Sequence, residues 1–374
     1  MRIGYDAKRI FHNSTGLGNY SRDLVRIMAS YYADNQYFLY NPKEAKINRL
    51  SLTDNMIVRQ PKSFFSKLFP SLWRSKLVLN DIENDQIDIF HGLSGELPIG
   101  IDQKTVKSIV TIHDLIFLRF PELYKPIDRK IYTKKFKKAA EIADIVVAIS
   151  EQTKKDIVQF LHIPEEKIQV IYQGCHQAFK QEYDETLKQK LRKKYHLPEE
   201  FLLNVGTIEE RKNVFTVVKA LKDSKHKLVI VGRKTKYAEQ IIDYIARHQM
   251  QEQIIFLEGL KLEELALLYQ MANIFIYPSI FEGFGIPIIE ALYSKTPVIT
   301  NKHGVLPEAA GANSYYLDDV KNVAEMRALI AQVASKDHSE NIAKSYDFVQ
   351  KFNDDVIAGQ YFKLYEKLLR KESN

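Results

Sequence analysis

"NIFIYPSIFEGFGIPIIEALYSKTPVIT", residues 273–300, reads as a strand, a glycine loop, a helix and a second strand. Aromatic and β-branched residues fill 274–277, which suits a buried, pleated segment. Gly283 and Gly285 interrupt the apolar run, and Pro287 suits the first turn of a helix over 286–294. A unit of this kind sets its two strands parallel and joins them by a right-handed crossover. Packing accounts for the apolar positions. It does not account for Glu282 and Glu290, which flank the glycines.

The same rhythm runs outward in both directions. Upstream strand candidates are "MRIGYD", "QYFLY", "MIVR", "IDIFHG", "VKSIVTIHD", "DIVVAIS" and "IQVIY", with helices between most of them, for example 19–33 and 128–142. A charge-rich segment, "KQEYDETLKQKLRKKYHLPEE", follows, and then the rhythm restarts with "FLLNVG", "HKLVIVG", "QIIFLEG", "NIFIYPS", "TPVIT" and "SYYL". Alternating β and α elements argue for an α/β fold of mostly parallel, doubly wound sheets. We expect two Rossmann-like domains, 1–178 and 198–350, meeting near 175–198. A final amphipathic helix at about 353–371, within a terminal segment 351–374, could pack on either domain. A chain of 374 residues is long enough for two cores.

Composition narrows the class of partner. The chain is 45% hydrophobic and 27% charged, with a net charge of +7, which suits an anionic partner such as a nucleotide, phosphate, lipid surface or nucleic acid. One cysteine, Cys175, excludes an intrachain disulfide framework and fits a reducing compartment. The opening "MRIGYDAKRI" alternates like a strand rather than carrying a signal-peptide core, and no apolar run is long enough to span a bilayer. A cytoplasmic protein is expected. No His/Cys/Asp spacing suggests a metal site.

In open α/β sheets, ligands bind beyond the carboxyl ends of the strands. Polar or glycine signals recur at those ends: Asp6 leading to Gly16 and Gly18, His91, His113-Asp114, Ser150, Gly206-Thr207, Gly232-Arg233, Gly259 and Glu282. The N-terminus of the helix after "FEGFG" would favour a diphosphate through its N–H groups and dipole. Glycines there let a ligand approach the backbone closely. Glu290, a turn into the helix, is placed to accept from a ribose diol, and Glu282 from a sugar hydroxyl. On spacing alone a glycine turn with incidental acids is equally open. Arg211 and Lys212 in "GTIEERKN" could neutralise phosphates, Arg as a fork and Lys as a point charge, or simply open a solvated helix. His113 ends an apolar strand, where a structural histidine is common.

"EGFGIPIIE" resembles the signature of retaining glycosyltransferases of family 4. "TGLGNYSRDLV", "TIHDLIFLRFPE", "VVAISEQTKKDI", "GTIEERKN" and "HGVLPEAAG" resemble further stretches of that family in the expected order, so the likeness covers nearly the whole chain. The resemblance implies a GT-B fold, with two Rossmann-like domains facing across a cleft and the N-terminal one on the acceptor side. It implies a nucleotide diphosphate sugar as donor, a glycan or lipid-linked glycan as acceptor, retention at the anomeric carbon, and no cofactor or metal. Lys212 looks like the family's phosphate-binding lysine, with Arg211 beside it. Many members carry arginine where this chain has Thr207, whose hydroxyl could still bond a phosphate. The amides of Phe284, Gly285 and Ile286 would hold the diphosphate, and Glu290 the ribose. Glu282 would grip the sugar, and His113 would act at the reacting centre. Gly16 and Gly18 would let the first domain close over the donor, and Gly259 would lie along the donor site. The "Gly-Thr-x-x-x-Arg-Lys-Asn" form leans toward GDP-mannose.

Two further stretches suggest weak membrane association. Lys130, Lys134, Lys137 and Lys138 share a helix face, taken to be opposite Ile131 or Phe136 and Ala139. "KSFFSKLFPSLWRSKL" mixes Phe64, Phe65, Leu68, Phe69, Leu72 and Trp73 with basic residues, as interfacial segments do. Ordinary core helices with wet faces would read the same way. Three other functions fare worse. Nucleic-acid binding lacks an aromatic-rich basic motif. For a nicotinamide-dependent dehydrogenase, "GLGNYS" lies too far from the first strand. A nucleotide-sugar binder without turnover would not need Glu282, Lys212 and Glu290 together.

Overall fold

The computed structural model describes residues 1–370 and divides into two compact units. One comprises Met1–Gly174 and the C-terminal stretch from Phe352. The other is Cys175–Lys351. All thirteen strands read from the sequence are present.

The first unit holds β1 (Arg2–Asp6), β2 (Gln36–Tyr40), β3 (Met56–Arg59), β4 (Ile89–Gly92), β5 (Lys107–Ile112), β6 (Ile145–Ala148) and β7 (Ile168–Val170). They form one sheet in the order β3-β2-β1-β4-β5-β6-β7, and every pairing is parallel. Successive residues serve opposite faces, as pleating requires. Ile109 and Val147 join a core with Tyr5, Leu24 and Tyr361, while Val110, Ile112 and Val146 join another with Ala139, Ala140 and Leu161.

The C-terminal helix, Asp354–Arg370, belongs to this first core. Ile357, Tyr361, Leu364, Tyr365 and Leu368 form a buried stripe at helical spacing. Its Phe362 ring stacks on Tyr32 at 3.9 Å, and the buried Asp354 pairs with Arg26 at 2.7 Å. Residues 371–374, the end of the segment read as the terminal helix, lie outside the described residues.

The second unit holds β8 (Leu202–Val205), β9 (Leu228–Val231), β10 (Ile254–Leu257), β11 (Ile274–Tyr277), β12 (Val298–Asn301) and β13 (Tyr315–Leu317). Its sheet runs β10-β9-β8-β11-β12-β13, again all parallel. The charge-rich stretch near the junction is part of this unit. Residues 185–195 form a helix capped by Asp184, whose side chain accepts from Leu187 N, and Lys194 pairs with Glu264. Leu191 is its buried anchor.

Two side chains are placed differently from the sequence reading. Trp73 is buried, not interfacial, and its indole donates to Asp81 at 2.7 Å. Ile131, on the helix Pro126–Ile142, is 45% exposed beside the lysines rather than opposite them. Seven residues return a helix to within about 20° of its starting direction, so Ile131 points nearly where Lys138 does.

Candidate active site

The strand order of the second sheet reverses between β8 and β11, the kind of position at which open α/β sheets bind ligands. The loop after β8 carries Gly206 and Thr207 and tightens into a single turn at Glu210–Lys212. The loop after β11 runs from Pro278 to Gly285, and Ile280 N donates to Arg211 O at 2.9 Å, which ties the two loops together. Glu282 sits between the cations. One of its oxygens is 2.9 Å from Arg211 Nη1 and the other is 2.6 Å from Lys212 Nζ. Burial works against the charge on Glu282, but Lys212 and then Arg211 outweigh it and hold the carboxyl at about 2. Burial likewise opposes charge on Arg211 and Lys212, and Glu282 more than compensates, so both are raised. All three are therefore ionised at neutral pH. Pairing within the protein offsets the cost of keeping two cations largely out of water.

Tyrosines brace both ends of this site. Tyr277, the last residue of β11, accepts from Lys212 Nζ at 2.6 Å, and the ammonium also lies 4.9 Å from its ring centroid. Tyr269 donates to Glu290 at 2.9 Å. Glu290 lies on the helix Ile286–Tyr293, and burial raises its carboxyl to about 7, with the Tyr269 bond pulling the other way. Neither tyrosine was singled out from the sequence. A tyrosine in an apolar strand or helix reads as core, and both rings are indeed buried.

The remaining residues read as donor contacts divide. Gly285 precedes the helix at φ +124°, and an added Cβ would lie 3.2 Å from Leu306, so this glycine is required by its own loop. The Phe284 side chain is buried, while Ile286 and Thr207 are partly open. Gly259 follows β10, an edge strand separated from β8 by β9.

In the first unit, His113 follows β5. It is 9% exposed, and its Nε2 lies 2.9 Å from the Leu93 carbonyl. A carbonyl only accepts, so Nε2 carries the proton and Nδ1 of the neutral ring is left as an acceptor. Burial lowers His113 to about 4, with the Leu93 bond opposing, so the ring is neutral at physiological pH. Tyr20 packs edge-on against it at 4.5 Å, and the Tyr20 hydroxyl is 2.7 Å from Tyr361 on the terminal helix and 3.2 Å from Thr111. The Asp114 carboxylate accepts from Ile116 N, shaping the loop.

Gly18 lies in the first turn of the helix Gly16–Tyr31, and a Cβ there would fall 1.9 Å from Asn13 O, whereas Gly16 has open space. A charged trio, of which the sequence reading named only Asp6, lies at the end of β1 and just beyond β4. Arg74 donates to both oxygens of Asp6 at 3.0 Å and to Glu96 at 2.6 Å.

Two parallel sheets with corresponding strand orders, seven strands in the first and six in the second, make up the GT-B fold. HepE from Anabaena, solved in complex with UDP and glucose, shares this fold with a TM-score of 0.75 at 16% identity, over 98% of this chain and 100% of that one. Residues 15–178 match the model for Glycosyltransferase Family 4, and 187–347 match that for Glycosyl transferases group 1. The chain belongs to this glycosyltransferase family and is a hexosyltransferase. It is 24% identical over 370 residues to the O-antigen chain mannosyltransferase B of Escherichia coli, covering 94% of this chain and 95% of that protein. It is 28% identical over 251 residues to the serotype-specific mannosyltransferase WbdA of Escherichia coli, of whose length the match spans 31%.

Among the described residues no helix is long and apolar enough to cross a membrane.

Proposed function

We propose that this chain transfers a hexose, with retention, from a nucleotide diphosphate sugar to a growing glycan in surface-polysaccharide synthesis. GDP-mannose is the favoured donor. The observation that carries the reading is Glu282 held between Arg211 and Lys212 at the strand-order reversal, with Glu290 a turn into the following helix. The donor diphosphate would take over the two cations and release Glu282 to a sugar hydroxyl, while Glu290 accepts from the ribose diol. Amides at Phe284–Ile286 and the Thr207 hydroxyl would complete the phosphate contacts, with Gly16, Gly18 and Gly259 bordering the donor. Charge on the diphosphate grows as the sugar departs, so the same cations stabilise the transition state more than the bound donor. The leaving phosphate oxygen would help deprotonate the acceptor. No protein nucleophile is assigned, and no metal is required. His113 would accept a hydrogen bond at the reacting sugar through Nδ1.

The mannosyltransferase names of the full-length and partial relatives support mannose. A thermal-shift panel of GDP-, UDP- and ADP-sugars tests donor and class together, since a ligand bound only by the native state raises the melting temperature. GDP-mannose should give the largest shift, undiminished in excess EDTA. A UDP-sugar giving the larger shift would replace the donor, and a silent panel would remove the nucleotide-sugar reading. That UDP-sugar reading, with a soluble acceptor, is the alternative.

A lipid-linked acceptor and peripheral membrane attachment on the cytoplasmic face are the finer part of the proposal. Phe64 is 84% exposed and Leu68 60% exposed, and Phe65, Phe69 and Leu72 are exposed around them. Ile127 and Ile131 are exposed beside Lys130, Lys134 and Lys138. Each lysine near an anionic surface contributes about 1 kcal/mol. The protein should co-sediment with phosphatidylserine-containing vesicles at low salt and release at high salt. Charge reversal at Lys134 and Lys138 should weaken that binding with donor affinity unchanged. Indifference to such vesicles at low salt would favour the soluble acceptor.

A further inference from the structure

The His113 ring is tied at one nitrogen only. Nε2 donates to the Leu93 carbonyl, and the Thr153 hydroxyl donates to the carbonyl of His113 itself at 3.1 Å, which pins the backbone. A ring held at one nitrogen can still swing about that bond. The neighbour that limits the swing is Tyr20, whose ring stands perpendicular to the imidazole with centroids 4.5 Å apart.

Tyr20 is in turn one link in a line of six side chains: Tyr5, Tyr365, His91, Thr111, Tyr20 and Tyr361. Successive members lie 3.3, 2.8, 2.8, 3.2 and 2.7 Å apart. All six are buried. None is charged at neutral pH, since burial raises the four tyrosines and lowers His91 to about 3. Thr111, two residues before His113, ties Tyr20 to the strand that leads to the histidine. The terminal helix supplies Tyr361 and Tyr365, one turn apart, and Tyr361 reaches Tyr20 across 341 residues of chain.

Phenylalanine at positions 20 and 361 would fill nearly the same volume. A neutral buried hydrogen bond adds little net stability over such packing. What a fully satisfied network adds is one fixed arrangement of the rings that carry it. That matters beside a side chain that must aim a single acceptor atom, because functional groups keep their geometry only when supporting side chains lock their rotamers.

We propose that Tyr361 of the terminal helix and Tyr20 are positioning residues that hold the His113 ring with Nδ1 toward the reacting sugar, an inference that rests on the role given to His113 above. Docking of the terminal helix is then a condition for transfer. It is not a condition for nucleotide-sugar binding, which the reading above gives to the second unit.

A double-mutant cycle on the full chain tests this, with GDP release from GDP-mannose as the rate and a manno-oligosaccharide as acceptor. Tyr361→Phe and Tyr20→Phe each remove one partner of the 2.7 Å bond and keep the ring. Each should lower turnover about two- to fivefold, less than His113→Ala, with the KM for GDP-mannose unchanged. In a His113→Ala background neither should lower turnover further, because nothing is left to position. Equal losses in both backgrounds would make the tyrosines a brace of the core and overturn the proposal. Wild-type turnover in the single variants would overturn it too. If Tyr361→Phe does not fold, Tyr20→Phe carries the cycle alone. A His113→Ala variant that turns over like the wild type, or a wild type that releases no GDP, instead removes the reading beneath, and the positioning role falls with it.

Discussion

The two charged trios differ in which sign is doubled. Around Glu282 the cations are in excess, and a single carboxylate keeps them in place. Around Arg74 the carboxylates are in excess, and a single guanidinium keeps them in place. One strand order thus carries charged clusters of opposite balance at its two reversals. The fold determines where a ligand meets the sheet, and the identity of a few loop side chains determines which ligand. That is why a fold by itself does not assign a substrate.

The comparison breaks most visibly at Lys212. Lys212→Ala removes a donor facing charge that grows during reaction, and losses of about 10²–10³ in turnover are typical for such groups. Nucleotide-sugar affinity should fall much less. Initial-rate kinetics at saturating donor decide it: intact turnover with weakened affinity would make the lysine a ground-state contact only.

Glu290 sharpens the cation side of the contrast. Glu290→Ala should weaken nucleotide binding by about 1.5–3 kcal/mol, as for a hydrogen bond to a charged group. In the wild type the pH dependence has a definite sign. Its carboxyl, near 7 in the folded protein, binds a proton more tightly than in the unfolded chain. Its contribution to stability without ligand is therefore full below the unfolded value of about 4.3 and is lost as pH rises toward 7. A diol wants the ionised form, so the nucleotide-induced thermal shift should grow between pH 6 and 8. A flat profile, or one that shrinks, would detach Glu290 from the ribose.

His113 tests the neutral part of the first unit. His113→Ala should leave nucleotide binding near normal and slow transfer roughly tenfold, the value of about 1.4 kcal/mol for one hydrogen bond at the transition state. Transfer at the wild-type rate would make the ring structural, another member of the buried Tyr20–Thr111–Tyr361 network. Smallest is Tyr277→Phe, which removes one hydroxyl from Lys212. A cost of about 0.5–1.5 kcal/mol is expected, read as reduced turnover with little change in melting temperature. Equal losses in melting temperature and turnover would mean that Tyr277 only packs.

Some of the site was legible in the residues and some was not. Glu282 and Glu290 around the glycines, and Arg211-Lys212 after a strand, could be selected because charge and glycine are out of place in an apolar βαβ run. Gly259 was selected by the same signal, but that it follows an edge strand, two places from β8, was not legible, since a strand's position in a parallel sheet is not written in its own residues. Tyr269, Tyr277, Arg74 and Glu96 gave no signal. A buried tyrosine looks like core whether or not its hydroxyl holds a functional side chain, and the 64–76 segment looked interfacial throughout although Trp73 and Arg74 turn inward.

The sequence by itself determined the alternation of thirteen strands with helices, the parallel character of both sheets and the family, because period, glycine placement and motif order are local properties of the chain. Tertiary structure alone decided that β1 lies beside β4 and β8 beside β11, and that the terminal helix joins the first core through Tyr361 and Tyr365. It alone brought Arg211 and Lys212 onto Glu282, residues about 70 apart in the chain, and Arg74 onto Asp6 at a similar separation. Long-range pairings of this kind depend on how sheets order their strands and which apolar faces bury one another. Those are outcomes of the whole chain's packing, and no window of residues contains them.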